Sequence, residues 1–282
     1  MKLERNAIEK FMISGRVCVI TGGAGLMGDS HAKSVLTGGG VAVLLDIDAE
    51  KLNKEEMRLR KSIKKPVIET YKADITDLQR LQEIKVDLMK KYGHIDVLIN
   101  NAANNPKVEG HDSSNMDAIQ FENFPLNMWN SDINVGLTGA FLCSQVFGAE
   151  MSLQGSGVIL NISSDLGVIA PDQRIYRRQG LSDSEQTVKP ITYSVIKHGL
   201  IGLTKYLATY WADKGIRCNA ICPAGIENGQ DPEFVKKLTN LVPMGRMAAK
   251  DEYQSTVLYM ISDASAYMTG ATIIVDGGRS CW

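Results

Sequence analysis

Short apolar runs rich in β-branched residues recur along this chain, and amphipathic runs of helical period fall between them. Residues 16–20 (Arg-Val-Cys-Val-Ile) form the first run, and residues 41–45, 67–71 and 95–99 repeat it. Runs of that length between glycine and polar clusters predict β-strands. Residues 26–38, 50–64 and 77–92 predict helices; in the last, positions 78, 81, 84 and 88 share one face. Gly38-Gly39-Gly40, Pro66 and Gly93 stop them. The second half continues with a helix over 127–152, a strand over 158–162, a helix from 193 to 213, a strand over 217–221, a helix over 250–261 and a strand over 272–275. Residues 1–14 are a polar lead-in with room for a short helix. This alternation predicts a single α/β domain over 1–282, a Rossmann-like doubly wound parallel sheet of about seven strands with helices on both faces. Two polar connections are long, 104–126 and 165–192, and loops of that kind at strand ends shape binding sites.

Two stretches carry candidate chemistry. The first strand runs into Thr21-Gly22-Gly23-Ala24-Gly25-Leu26-Met27-Gly28, which contains G-x-G-x-x-G between a strand and a helix. Glycines there let the turn close and the backbone approach a pyrophosphate, whose charge meets the helix N-terminus. Asp46 closes the second strand, where a carboxylate bonds the ribose hydroxyls of NAD and repels the 2′-phosphate of NADP. NAD is therefore expected over NADP, with Asp48 as the alternative carboxylate; Asp74 and Ile75 would lie beside the adenine. The other stretch is Tyr193-Ser194-Val195-Ile196-Lys197. One helical turn puts Tyr193 and Lys197 on one face. An ammonium there is expected to favour the phenolate and lower the phenol pKa from its usual value of about 10.

Composition narrows the class. The chain has 282 residues, is 44% hydrophobic and carries net charge −1 from 31 basic and 32 acidic residues. Neither nucleic acid nor a membrane is expected as partner, and no apolar run approaches the roughly 18 residues of a membrane span. The lead-in lacks the apolar core of a secretion signal. Five cysteines, an odd number, suit reduced thiols and a cytoplasmic location. Cys218 and Cys222 have no histidine nearby, so no metal site is expected.

Taken together, the Thr21–Gly28 loop, Asn100-Asn101-Ala102-Ala103, Asn134, Asn161-Ile162-Ser163-Ser164, Tyr193-x-x-x-Lys197, Arg217-Cys218-Asn219, Pro223-Ala224-Gly225 and Val275-Asp276-Gly277-Gly278 resemble the short-chain dehydrogenase/reductase family over about residues 13–280. Within it the chain is similar to oxidoreductases of bacterial surface-glycan and flagellin-modification pathways, including those near legionaminic acid synthesis. The resemblance implies hydride transfer between nicotinamide and a hydroxyl or carbonyl carbon of a sugar-like substrate. It casts Tyr193 as general acid/base and Lys197 as its modulator and a ligand of the nicotinamide ribose. Asn134 keeps a relay water, and Ser164 orients the carbonyl, with Ser163 as runner-up. Cofactor contacts are implied at Gly22, Gly25, Leu26, Met27 and Gly28. They continue at Asp46 and Ile47, at Asn100, Asn101, Ala102 and Ala103, and at Pro223, Gly225 and Ile226, whose amide would meet the carboxamide. A homo-oligomer, tetramer or dimer, is also implied, with the helices 127–152 and 193–213 offering apolar faces.

Three departures from the family pattern stand out. The glycines give T-G-x-x-G-x-x-G, commoner in the longer sugar-nucleotide branch; Ser164 and Tyr193 are unusually far apart; and Pro-Gly is replaced by Pro223-Ala224-Gly225, with Asn228 where a threonine often stands. The stretch between Ser164 and Tyr193 holds Arg174, Tyr176, Arg177 and Arg178. These arginines either clamp a phosphate or carboxylate or form a solvated basic loop. Asn104, Asn105, Lys107, Asp165 and Asn228 are further candidates for substrate contact, and 226–245, with Glu227, for a lid. Three functions compete: an NAD-dependent dehydrogenase of a sugar-like substrate, a sugar-nucleotide epimerase or dehydratase with an internal redox cycle, and a non-enzymatic dinucleotide sensor.

Overall fold

The computed structural model describes residues 6–104 and 120–282. Seven parallel strands form one sheet: β1 Val17–Thr21, β2 Val41–Asp46, β3 Val67–Lys72, β4 Val97–Asn100, β5 Gly157–Ile162, β6 Ile216–Pro223 and β7 Thr272–Val275. Their order is β3-β2-β1-β4-β5-β6-β7. The order reverses between β1 and β4, the place where α/β sheets open a crevice at their carboxyl ends.

The helices are α1 Gly28–Thr37, α2 Ala49–Ser62, α3 Leu78–Tyr92, α4 Leu126–Ile133, α5 Gly139–Gln154, α6 Ile191–Tyr210, α7 Pro232–Thr239 and α8 Gln254–Ile261. Both sheet faces are covered, so the strands read as continuous apolar runs. Cys18, Ile20, Ala42 and Leu44 face a core shared with α1, α2 and α8. Val17, Val19, Val43 and Leu45 face the opposite core, filled by Leu81, Leu88, Phe147 and Met151.

Several boundaries differ from the expected ones for identifiable reasons. The helix expected over 26–38 begins only at Gly28, because residues 22–27 form the loop. The one expected over 127–152 is α4 and α5 joined by a π-helical turn, Asn134–Thr138, a local irregularity common at functional sites. The expected lid contains α7, started by Pro232 and capped by Asp231, which accepts from the Glu233 and Phe234 amides at 2.9 and 3.1 Å. The connection 165–192 carries three short 3₁₀ turns. Among the described residues of the lead-in, a 3₁₀ turn spans Glu9–Phe11.

Candidate active site

The loop after β1 is shaped by what it cannot contain. Gly22 has φ +62°, and a Cβ there would come within 2.9 Å of Ala102 Cα. A Cβ at Gly23 would stand 2.7 Å from Leu44 Cβ, and one at Gly28 would run into the Gly22 and Gly23 carbonyls. The backbone therefore lies close on β2 and on the residues after β4. Thr21 Oγ1 accepts from the Asn101 and Ala102 amides, both at 3.0 Å. Asn101 Nδ2 donates to the Thr21 and Gly22 carbonyls at 3.0 and 3.1 Å. Asn101 Oδ1 must then accept from His31 Nε2, 3.2 Å away. This assigns the tautomer and leaves His31 Nδ1 bare; burial holds its pKa down at about 4. Neither His31 nor this role of Asn101 was legible in the sequence, since both depend on contacts between β4 and α1.

Asp46 Oδ2 accepts from the Ala24 amide at 3.1 Å, so the carboxylate at the end of β2 braces the loop and borders its groove. Asp48 is instead the N-cap of α2, accepting from the Lys51 amide at 3.0 Å, which settles which carboxylate stands at the loop. Leu26 and Ile47 are exposed and Met27 half-buried beside it. Asp74 spends its Oδ1 on the Thr76 amide and hydroxyl at 2.8 and 2.7 Å, while Ile75 is buried against Gly139. A glycine-rich loop packed close on its neighbours, a helix N-terminus for an anion and a carboxylate for hydroxyls suit a dinucleotide.

The second cluster lies at the carboxyl ends of β5 and β6. Ser163 Oγ donates to the Lys197 carbonyl at 2.7 Å and so latches α6 to the sheet. Ser164, buried, has its hydroxyl close enough to that of Tyr193 to act on its proton. Lys197 Nζ donates to the Ile162 carbonyl at 2.8 Å and sits 5.6 Å from the Tyr193 ring centre. Burial lowers the Lys197 pKa to about 8, and the charge of Lys189 adds to that. Lys189 Nζ stands 3.9 Å from the Tyr193 ring centre, a cation over the aromatic face. The expectation that Lys197 lowers the Tyr193 pKa needs correcting here. Burial raises it, the Ser164 hydrogen bond pulls it down, and the Asp165 charge pushes it up.

Asn134 opens the π-helical turn with an exposed side chain, 3.5 Å from Thr138 Oγ1. The turn lies against α6, where a Cβ at Gly136 would meet Ile196 at 2.7 Å. Buried Asp132, which the sequence did not single out, ties the surroundings of Tyr193 together. It accepts from Thr192 Oγ1 at 2.6 Å and from Asn104 Nδ2 at 3.3 Å. Around the cofactor side, Pro223 ends β6, and Ile226 pairs with Ala248 through the Gly225 carbonyl and the Glu227 amide. That pairing turns the Ile226 amide away from Ala248. Ala103 follows directly on Ala102, and Asn100 is buried, donating to Ser144 and Asn161.

The tentative substrate residues disperse. Arg174 is 84% exposed and held by Asp172 through both carboxylate oxygens, so it leans on its own loop. Arg177 lies 3.5 Å from Asp183 on the surface. Asp165 is 3% exposed; its oxygens take Ser164, the Leu166 amide and Arg279, so it faces the protein interior rather than a substrate. Asn228 and Glu227 are exposed. Asn105 and Lys107 lie outside the described residues. The insert nonetheless has a built shape. Gln186 bridges the Arg178 amide and the Arg178 and Leu181 carbonyls at 2.7, 3.0 and 2.9 Å. Gln173 pairs with the Lys189 backbone. Ile175 and Tyr176 pack on Phe234 and Leu238 of α7, and a cavity of about 280 Å³ opens between them, lined by Arg177, Arg178 and Lys237 among others. Among the described residues no cluster of His, Cys, Asp or Glu is placed to hold a metal ion, and no helix is long and apolar enough to cross a membrane.

Comparison with known proteins bears on this arrangement. Residues 16–176 match the family described as short chain dehydrogenase, and residues 181–280 the one described as Enoyl-(Acyl carrier protein) reductase. An NAD-dependent glycerol dehydrogenase of Listeria innocua is 30% identical, with 95% of each chain covered. A D-threitol dehydrogenase of Mycolicibacterium smegmatis is 27% identical over 95% of this chain and 94% of its own. A short chain dehydrogenase of Leptospira borgpetersenii, solved with bound NAD+, is 29% identical and superimposes with a TM-score of 0.77 over 99% of this chain and 97% of that one.

Proposed function

Because the chain belongs to the short-chain dehydrogenase/reductase family, and is an oxidoreductase of that family using a pyridine nucleotide, we propose that it is an NAD-dependent dehydrogenase of a sugar-like polyhydroxylated substrate. The observation that carries this reading is the meeting of Tyr193, Ser164 and Lys197 at the carboxyl end of the sheet that also carries the glycine loop. The relatives that act on small polyols support the substrate class. A phosphorylated or nucleotide-linked sugar, such as a surface-glycan precursor of the legionaminic acid type, falls within it. Asp46 favours NAD over NADP, because a 2′-phosphate beside its carboxylate would meet like charge.

A bound nicotinamide supplies the hydride acceptor or donor. The chain supplies the rest. Tyr193 takes the hydroxyl proton in oxidation and returns it in reduction. Ser164 holds the reacting oxygen within reach of Tyr193. Lys197, with its pKa near 8, exchanges protons at neutral pH and positions the ribose. Asn134 holds a water that links Lys197 to solvent. The glycine loop and the α1 N-terminus take the pyrophosphate.

The five cysteines are free thiols, which fits a cytoplasmic protein. The exposed Phe141, Tyr206 and Tyr210 suit helix-to-helix association into a dimer or tetramer. The T-G-x-x-G-x-x-G spacing favours the second reading, an epimerase or dehydratase with an internal redox cycle. NADH formation across a panel of polyols, free sugars, sugar phosphates and nucleotide sugars, with NADP in parallel, tests both. Net NADH with one of these supports the dehydrogenase; tightly retained NAD with product but no NADH supports the second. Tyr193→Phe should lower turnover by about 10²–10⁴-fold while NADH still binds, and undiminished turnover would overturn the assignment.

A further inference from the structure

Beneath the catalytic serine lies a buried ion pair. Arg279 Nη1 donates to Asp165 Oδ2 at 2.7 Å, and the two residues are 7% and 3% exposed. The other oxygen, Oδ1, accepts from Ser164 Oγ at 2.7 Å and from the Leu166 amide at 2.8 Å. Arg279 arrives there by a designed route. β7 ends at Val275, and Asp276 accepts from the Gly278 and Ser280 amides at 2.9 and 2.7 Å. Gly277 and Gly278, both at positive φ, reverse the chain; a Cβ on either would meet Val242 or Pro243 within 3 Å. Residues 114 positions apart thus converge under one hydroxyl.

We propose that Asp165 and Arg279 are a positioning pair that takes the Ser164 hydroxyl hydrogen and so leaves Tyr193 holding its own proton. The argument is one of hydrogen-bond supply, and it rests on the reading of Tyr193 as the acid/base. A serine has one hydrogen, and a carboxylate can only accept. The Asp165 carboxylate claims that hydrogen through Oδ1 while its other oxygen takes the Arg279 guanidinium. Ser164 then has no hydrogen left to offer the Tyr193 phenol, which keeps its own. When Tyr193 gives up its proton, the Ser164 hydrogen turns by rotation about one bond from Asp165 to the phenolate, and Asp165 keeps the Leu166 amide and Arg279. The pair therefore weighs against the phenolate, and the charge of Asp165 acts in the same direction. The other ionisable groups nearby are Lys197 on α6 and Lys189 ahead of it, with Cys222 on β6. Tyr253, before α8, also feels the Asp165 charge, and Asp172 feels Arg279.

The test reads the Tyr193 proton directly, without a substrate. In full-length protein carrying tyrosine labelled at the ζ-carbon, one of nine tyrosine signals is assigned to Tyr193 by its loss in Tyr193→Phe, and its pH titration is followed by NMR. Asp165→Asn should lower the Tyr193 pKa by about one unit, the size expected when a neighbouring like charge is removed. Arg279→Lys, which keeps the charge, should leave it close to wild type. Asp165→Asn with Arg279→Met removes the pair together, a replacement that buried ion pairs tolerate. It should shift the titration downward as well, and it serves if the single variant does not fold. A Tyr193 titration unmoved in the folded variants would overturn the proposal, and so would an Arg279→Lys shift as large as that of Asp165→Asn. Full turnover in Tyr193→Phe would instead overturn the proposed function and leave this titration result standing.

Discussion

The loop after β1 and the insert before α6 both border the carboxyl end of the sheet, yet they keep their shapes by different means. The loop is held by absences and by backbone. Glycines at 22, 23 and 28 allow approaches that a Cβ would block, and Thr21 and Asn101 gather the amides and carbonyls around them. The insert is held by side chains that reach across it. Gln186 closes the turn over 178–181, Gln173 clasps Lys189, and Tyr176 leans on Phe234 of α7. Backbone approaches of the first kind allow little variation without losing the groove. Side-chain clasps of the second kind let the same sheet carry differently shaped substrate sites, because each clasp can be exchanged without moving a strand.

Three experiments press on that contrast. The largest effect is expected at His31, which has no route to solvent. Its pKa lies at about 4 in the fold and about 6.5 unfolded. Between those values the unfolded chain binds a proton that the folded chain refuses. Its contribution is therefore fully present above pH 6.5 and is lost as the pH falls towards 4, an acid destabilisation of about 3 kcal/mol. Urea unfolding from pH 7 to pH 4 should show this slope, and His31→Gln should flatten it. An identical slope in the variant would detach the loop's packing from acid stability.

Next is Gln186→Ala, which removes the bonds to the Arg178 amide and to the Arg178 and Leu181 carbonyls at a cost of about 1–3 kcal/mol. If the insert is a local unit, that cost appears as faster amide exchange over residues 173–189 and a higher KM, while the global unfolding midpoint hardly moves. A matching fall in the midpoint would show the insert to be part of the core. The smallest effect is expected for Arg174→Ala. The guanidinium is exposed and already engaged by Asp172, and an exposed pair contributes about 0–1 kcal/mol. Steady-state KM should change by less than about threefold, which that energy range allows; a rise well beyond it would restore the anion-clamp reading.

The parallel sheet, its order of elements, the glycine loop and the Tyr193–Lys197 spacing were legible in the chain. Each follows from rules that act over a few residues: period 2 or 3.6 for burial, positive φ at Gly22, one helical turn between two side chains. Other features were decided only by folding. Ser163, the alternative to Ser164, latches α6; Asp48, the alternative to Asp46, caps α2; Asp165 turns inward to Arg279; the insert arginines stay on the surface; and Lys189 lies over Tyr193. A residue type states what a group can donate or accept. Which atom takes that bond depends on what the fold brings within 3 Å, and a buried carboxylate or ammonium answers to its neighbours in space rather than along the chain.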